Sequence, residues 1–106
     1  MAIFDSLPAS VSIYEVSPRD GLQNESAQVA THAKVRLIEA LIDAGLKRIE
    51  ATSFVSAKRV PQMSDADQVC RMVEKPADVT FSALVPNARG LERALAGGID
   101  EAAVFL

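Results

Sequence analysis

Two oppositely charged residues, Arg19 and Asp20, stand directly before a glycine in the stretch SPRDGLQNE, residues 17–25. An aspartate at the end of a strand offers an oxygen anion that suits a hard cation such as Mg²⁺ or Mn²⁺. An adjacent arginine can stabilise an enolate or a carbonyl oxygen as negative charge develops. Gly21 permits a tight turn that keeps both side chains directed into one site. The alternative is an ordinary Asp-Gly turn with a solvated arginine, and both interpretations stand at this point.

A second candidate, Glu50, lies inside the predicted strand RIEATSF, residues 48–54. A carboxylate is disfavoured in a strand. Two-residue alternation puts Glu50 and Thr52 on one face of that strand, opposite Ala51 and Ser53. If Glu50 faces inward, its burial requires a cation or hydrogen-bond partners, and Arg19 at the end of the neighbouring strand is the obvious candidate. The alternative is an edge strand with the carboxylate in solvent.

Three further polar residues invite a functional interpretation. Asn87 follows the apolar stretch that ends in LVP, where it could contact a substrate or cap the next helix. His32 stands alone at a predicted helix start, which is typical of a surface residue. Cys70 lies beside Val69 near an apolar helical face, and packing in the core is the favoured interpretation.

The elements that position these residues are predicted strands and helices, which alternate along the chain. Thr31 is predicted to cap the first helix, and Gly45 to end it. Ser64, followed by Asp67, predicts the start of the second helix as a weak capping box. Strands are predicted at 11–16, 47–54, 79–86 and 101–106, and helices at 31–44, 64–75 and 88–98.

Strands that alternate with helices indicate a parallel α/β sheet built from β-α-β units. No helix follows the apolar stretch at 101–106 to cover it. Four such strands fit either a small open sheet or the first half of a (β/α)₈ TIM barrel, which typically needs about 250 residues.

The composition narrows the class of partner. The 106 residues are 49% hydrophobic and 24% charged with a net charge of −3, which is typical of a globular domain. This balance gives no reason to expect nucleic acid or an anionic membrane as a partner. A single cysteine favours a reducing compartment, and we expect the cytoplasm. The N-terminus resembles neither a secretory signal nor a transit peptide, and no stretch approaches the length of a membrane helix.

Three stretches together resemble the hydroxymethylglutaryl-CoA lyase family: SPRDGLQNE, then IEATSFVSAKRVPQM, then LVPN. Their spacing agrees as well as their residues, and the resemblance runs from about Val11 to Leu106. Arg-Asp-Gly followed by glutamine is shared more widely with metal-dependent Claisen-type synthases and aldolases. The stretch TSFVSAKRVPQM separates the lyase from those relatives.

The resemblance implies a set of roles. It implies that Arg19 stabilises the enolate of acetyl-CoA, that Asp20 binds a divalent cation, Mg²⁺ or Mn²⁺, and that Gln23 and Glu50 occupy active-site positions, with Glu50 supporting the arginine. Asn87 is assigned to the substrate-binding group. The implied reaction cleaves 3-hydroxy-3-methylglutaryl-CoA, an acyl-CoA, to acetyl-CoA and acetoacetate, and the implied full-length enzyme is a homodimer.

The chain also departs from that family. The family's two histidine ligands, its asparagine ligand and its catalytic cysteine come from later parts of the barrel, and neither His32 nor Cys70 matches them. Residues 1–106 are therefore expected to form a partial lyase-type barrel domain that is inactive by itself. Two hypotheses remain: part of a lyase, or a catalytically silent protein that acts by association with another chain through its last strand.

Overall fold

The computed structural model describes residues 5–105; residues 1–4 and Leu106, the last residue of the predicted fourth strand, lie outside this range. Arg19 and Asp20 lie in a single π-helical turn. The regular elements that follow are α1 (Thr31–Asp43), β1 (Arg48–Ser53), a 3₁₀ turn (Pro61–Met63), α2 (Ala66–Met72), β2 (Thr80–Leu84), α3 (Ala88–Ala96) and β3 (Glu101–Ala103). No helix within the described range is both long and apolar enough to cross a membrane.

The three strands form one sheet in the order β1-β2-β3, and both neighbouring pairs are parallel. This confirms the α/β class and the parallel sheet that the β-α-β units predicted. The core lies between the sheet and the helices, and it includes Ile49 and Phe81, which are paired on neighbouring strands and have no exposed surface. Val35 and Ile38 of α1 pack into the same core, as their helical spacing predicts.

The predicted strand at 11–16 is wrong in its extent. Only Glu15 pairs with the sheet, through a parallel bridge to Ile49. The Glu15 amide donates to Arg48 O at 2.9 Å, and Glu50 N donates to Glu15 O at 2.8 Å. The residues before it are exposed, with Val11 at 78%. A β-favouring sequence needs a partner along its whole length, and within the described residues β1 supplies one for a single residue only.

The ladder between β1 and β2 contains a shift of one residue. Glu50 pairs with Ser82, but Thr52 pairs with Ala83 and Ser53 with Leu84. Since Leu84 lies two residues beyond Ser82, it shares that residue's face, and Ser53 is carried onto the face of Glu50. The simple alternation, which placed Ser53 opposite Glu50, is therefore wrong beyond Ala51.

Helix α1 ends as its sequence predicts but begins differently. Gly45 has a φ of 99°. Its amide donates to Ile42 O at 2.9 Å, and Leu46 N donates to Leu41 O at 3.2 Å, which is the Schellman pattern. At the other end the N-cap is Ala30, not Thr31, and it makes no side-chain cap bond. The Thr31 hydroxyl is engaged elsewhere.

The buried ammonium group of Lys34 explains why neither α1 nor α2 begins with a side-chain cap. Lys34 is 5% exposed. Its ammonium group donates to Gln62 O and, at 2.6 Å, to Asp65 Oδ1, while the Thr31 hydroxyl donates to Asp65 Oδ2 at 2.5 Å. Because the Asp65 carboxylate is occupied by these partners, it does not cap α2 although it stands at the N-cap position. The network ties α1 to the loop that follows β1.

The predicted helix at 64–75 is wrong at both ends. The helix begins at Ala66, and the supposed capping-box residue Asp67 instead binds Arg93 of α3, with Nη2 and Oδ2 2.9 Å apart. The helix ends at Met72, since Val73 already has extended backbone with a ψ of 126°, and Pro76 keeps Lys75 from resuming the helix. The Lys75 ammonium group donates to Cys70 O and to Val73 O, which satisfies carbonyls at the end of the helix.

The packing of α3 against α2 predicts the effect of one methyl group. A Cβ added at Gly97 would lie 2.8 Å from Cys70 Cβ, although the Gly97 φ of −84° suits any residue. We expect Gly97→Ala to lower the free energy of unfolding by about 1–3 kcal/mol through overpacking. The neighbouring exposed variant Ala96→Ser should change it by no more than about 0.5 kcal/mol. Urea denaturation measures both, and an unchanged midpoint for Gly97→Ala would show that the two helices separate at no cost.

Candidate active site

The π-helical turn Ser17–Gly21 positions the two charged residues that opened the sequence. The Asp20 amide donates to Val16 O at 2.7 Å, and the Leu22 amide reaches back to Ser17 O, five residues earlier. Pro18 stands at the start of the turn, where its missing N–H is not needed, and it is buried. Turns of this kind are frequent at functional sites, and this one follows directly after the bridge at Glu15.

Glu50 faces inward, as one of the two sequence interpretations required. Its side chain is 3% exposed, and Oε1 accepts a hydrogen bond from Arg19 Nε. The Arg19 side chain is itself only 12% exposed. A buried carboxylate with an arginine partner is a charge-assisted pair of the strong class. The structure therefore brings together Arg19 and Glu50 from elements 31 residues apart in the chain.

Asp20 lies beside this pair and remains accessible. Its side chain is 53% exposed, and Oδ1 is 3.3 Å from Arg19 Nη1. Asn24 Nδ2 donates to the same oxygen at 3.2 Å and to the Asp20 carbonyl at 2.8 Å. Arg19 also lies over the ring of Phe105, with Cζ 5.9 Å from the ring centroid.

Tyr14 and Ser82 belong to the site although neither was singled out from the sequence. The Tyr14 hydroxyl donates to Glu50 Oε2 and lies 2.5 Å from Ser82 Oγ. Burial, and after it the hydrogen bond to Glu50, raise the pKa of Tyr14. Tyr14 looked like one more β-favouring residue, and the only signal that pointed to it was the need of Glu50 for partners.

Two buried polar atoms lack a partner within the described residues: Gln23 Oε1 and Ser53 Oγ. Gln23 lies just beyond the π-helical turn, and Ser53 shares the face of Glu50 through the register shift. Buried acceptors and hydroxyls are normally satisfied, and an orphan of either kind is a place where a ligand or an ordered water fits. The family resemblance had assigned Gln23 to the active site. The simple two-residue alternation had placed Ser53 on the face opposite Glu50, so Ser53 was not predicted.

The other sequence candidates fall into structural roles. Asn87 Oδ1 accepts from Gly90 N at 2.8 Å, so Asn87 is the N-cap of α3. Its contact with a substrate remains a prediction. His32 is exposed on α1. Cys70 is 2% exposed, and burial raises the pKa of its thiol to about 11, in agreement with the interpretation as a core residue.

The site contains one carboxylate suited to a metal. No group of three histidine, cysteine, aspartate or glutamate side chains is arranged around a common point in residues 5–105. Asp20 offers an accessible oxygen anion, whereas both oxygens of Glu50 are already bonded. The donor chemistry fits a hard cation that takes one protein carboxylate and completes its shell with other oxygens.

The fold and the site together define a class: an α/β protein that forms the first part of a (β/α)₈ barrel, with an arginine, an aspartate and a buried glutamate at one site. The chain belongs to the HMGL-like family, whose model matches residues 10–106. This confirms the resemblance found in the sequence.

Individual relatives support the same assignment. The mitochondrial hydroxymethylglutaryl-CoA lyase of Macaca fascicularis is 50% identical over 101 residues, which are 95% of this chain and 31% of the relative. The hydroxymethylglutaryl-CoA lyase YngG of Bacillus subtilis is 52% identical over 99 residues, 93% of this chain and 33% of the relative. The crystal structure of the Pseudomonas aeruginosa lyase matches with a TM-score of 0.90 at 47% identity, covering 93% of this chain and 33% of that one. The chain thus spans about a third of the length of these relatives.

The buried ion pair predicts a coupled effect on stability. Arg19→Met leaves the Glu50 carboxylate buried without its cation, and we expect a loss of about 3–5 kcal/mol in the free energy of unfolding. The double variant Arg19→Met/Glu50→Met should recover a large part of that loss, because neither charge is then stranded. Guanidinium denaturation of the two single variants and the double variant measures the coupling.

The matched control is Lys47→Met. Lys47 pairs with Asp78 at 2.7 Å, but both side chains are more than half exposed. Water and salt screen such a pair, so its loss should leave the denaturation midpoint almost unchanged. Equal effects at Arg19 and Lys47 would contradict the special role of the buried pair.

Proposed function

We propose that residues of this chain form the first part of a hydroxymethylglutaryl-CoA lyase active site, which cleaves 3-hydroxy-3-methylglutaryl-CoA to acetyl-CoA and acetoacetate. The observation that carries the proposal is the geometry at Arg19: Glu50 holds its Nε, while Nη1 lies 3.3 Å from the accessible carboxylate of Asp20. A cationic donor and a candidate metal ligand thereby share one short turn. The family membership and the lyase names of the relatives support the same reaction.

Arg19 would act on the charge that develops as the carbon–carbon bond breaks. Cleavage leaves electrons on the carbon next to the thioester, and the resulting enolate carries its charge mainly on the thioester oxygen. A guanidinium that is held in place before the reaction stabilises that oxygen without reorganising during the step. The Nε–Glu50 contact and the Nη1–Asp20 contact together hold the planar guanidinium at two points, so its remaining donors keep a constant direction.

Asp20 would hold the divalent cation, Mg²⁺ or Mn²⁺, with the remaining ligands outside this chain. When bound, such an ion acts as a Lewis acid that orients and polarises substrate oxygens. Gln23, whose Oε1 is buried without a partner in the described residues, would accept a hydrogen bond from the acyl-CoA substrate. Asn87 is assigned to the same substrate-binding group, with its backbone held at the start of α3.

A second candidate function follows from the edges of the sheet. Val104 and Phe105, which directly follow β3, are 64% and 74% exposed, and among residues 5–105 β3 has a neighbouring strand on one side only. An unpaired edge flanked by apolar side chains can bind another chain by strand addition. A silent protein that acts by association would use these surfaces and would not require Asp20.

Compartment and assembly follow as part of the proposal. We place the protein in the cytoplasm, on the ground that its single cysteine is a free, buried thiol. The Macaca fascicularis relative bears a mitochondrial name, so localisation by fluorescence microscopy is the direct test. We propose a homodimer for the complete barrel, which sedimentation analysis would establish.

The decisive experiment completes the barrel. We expect residues 1–106, joined to the remainder of the Bacillus subtilis relative, to form acetoacetate from 3-hydroxy-3-methylglutaryl-CoA with added Mg²⁺ or Mn²⁺, whereas the 106-residue chain alone should not. Arg19→Met in the hybrid should lower kcat by about 100-fold to 1,000-fold with little change in KM, because the contact is made in the transition state. Full activity of Arg19→Met would remove the enolate-stabilising role.

The metal assignment has its own test in the same hybrid. Asp20→Ala should raise the concentration of Mn²⁺ that gives half-maximal activity, because it removes a carboxylate ligand. The matched control is Asp78→Ala, since Asp78 is an exposed aspartate that pairs with Lys47 at 2.7 Å before β2 begins. If Asp20→Ala and Asp78→Ala give the same metal dependence, Asp20 is not a ligand.

A further inference from the structure

The hydroxyl of Tyr14 lies between two side chains of the neighbouring strands. It contacts Glu50 Oε2 on β1 and lies 2.5 Å from Ser82 Oγ on β2. The ionised carboxylate can only accept, so the single Tyr14 proton is donated to Glu50. Ser82 must then donate its own proton to the Tyr14 oxygen. The hydrogen bonds therefore run in one direction, from Ser82 through Tyr14 to Glu50.

The ring of Tyr14 is held from its other side. The Arg48 guanidinium lies over it, with Cζ 4.9 Å from the ring centroid, and Arg48 Nη2 is 3.4 Å from Glu101 Oε1 on β3. A cation over an aromatic face is attracted by the ring quadrupole. Contacts from β1 and β2 therefore hold the hydroxyl and the ring, even though Tyr14 itself is 37% exposed and lies outside any ladder.

We propose that Tyr14 is a positioning residue of this site: its hydroxyl holds Glu50 Oε2, so that Oε1 stays on Arg19 Nε and the guanidinium keeps the direction that the reaction uses. The hydrogen bond itself does not depend on the proposed function, but its effect on turnover rests on the proposed function of Arg19. Without the hydroxyl, the carboxylate could rotate and Oε2 would be a buried acceptor without a partner.

The first test reads the hydrogen bond directly. Tyr14 is the only tyrosine and the chain has no tryptophan, so the near-ultraviolet absorbance of the phenolate reports this residue alone. Burial and Glu50 raise the pKa of Tyr14, whereas the bond from Ser82 lowers it. In the 106-residue chain we therefore expect Glu50→Gln to move the titration to lower pH and Ser82→Ala to move it to higher pH.

Opposite shifts of the Tyr14 pKa in Glu50→Gln and Ser82→Ala distinguish the proposed hydrogen bonds from partial unfolding. Unfolding would move the pKa in both variants toward the ordinary value for tyrosine. Glu101→Gln is the control that removes a more distant negative charge, and its shift should be smaller than that of Glu50→Gln. If Glu50→Gln leaves the titration of Tyr14 unchanged, or if both variants shift it in the same direction, the proposed chain of hydrogen bonds is wrong.

The second test reads catalysis in the completed barrel. Tyr14→Phe retains the ring and removes only the hydroxyl, and we expect kcat to fall by about tenfold while KM changes less than twofold. An unchanged kcat for Tyr14→Phe beside a reduced one for Arg19→Met would overturn the role of Tyr14 and leave the lyase proposal standing. A hybrid without any lyase activity would instead overturn the lyase proposal, and the titration would still decide whether Tyr14 holds Glu50.

Discussion

A carboxylate buried within a parallel strand has to be matched by a cation, and Glu50 finds that cation in Arg19. The surrounding structure is arranged around this need. The π-helical turn brings Arg19 to the sheet, the bridge between Glu15 and Ile49 fixes where that turn begins, and Tyr14 takes the second carboxylate oxygen. Neither ion would be tolerated alone at its depth, so the pair forms only when the turn and β1 are both in place.

A second charged cluster supports the segment that follows the turn. Lys34 is buried in α1 and binds Asp65 and the carbonyl of Gln62. The side chain of Gln62 in turn donates to Glu25 O at 2.7 Å, just beyond Asp20 and Gln23. The stretch that carries the candidate site is thus anchored at its start by Glu50 and at its end by Gln62. Both anchors are polar contacts between residues distant in the chain.

The sequence was informative wherever one residue's local requirement decided the outcome. Gly45 ended α1 because a left-handed position needs glycine, and the β-α alternation led to the parallel sheet. The cost of a charge inside a strand made burial of Glu50 against Arg19 one of two interpretations, and the structure agrees with that one. The predicted helix caps were wrong where a distant residue offered a different partner. Asp67 binds Arg93, and Thr31 donates to Asp65. Tyr14 was missed because its contact with Glu50 exists only in the tertiary fold. Ser53 was missed because the register shift changes the face on which its side chain lies.

That register shift has a consequence for the whole barrel. Strands close into a cylinder only when the staggers between neighbours add up to a fixed total, the shear, which is eight in barrels of this type. The extra residue between Glu50 and Thr52 enters that sum. Removing Ala51 would therefore do more than turn Ser53 away from the site, since the remaining ladders would have to absorb the missing stagger before the cylinder could close. In the complete barrel, a single residue beside the candidate site would thus take part in the closure geometry of the cylinder.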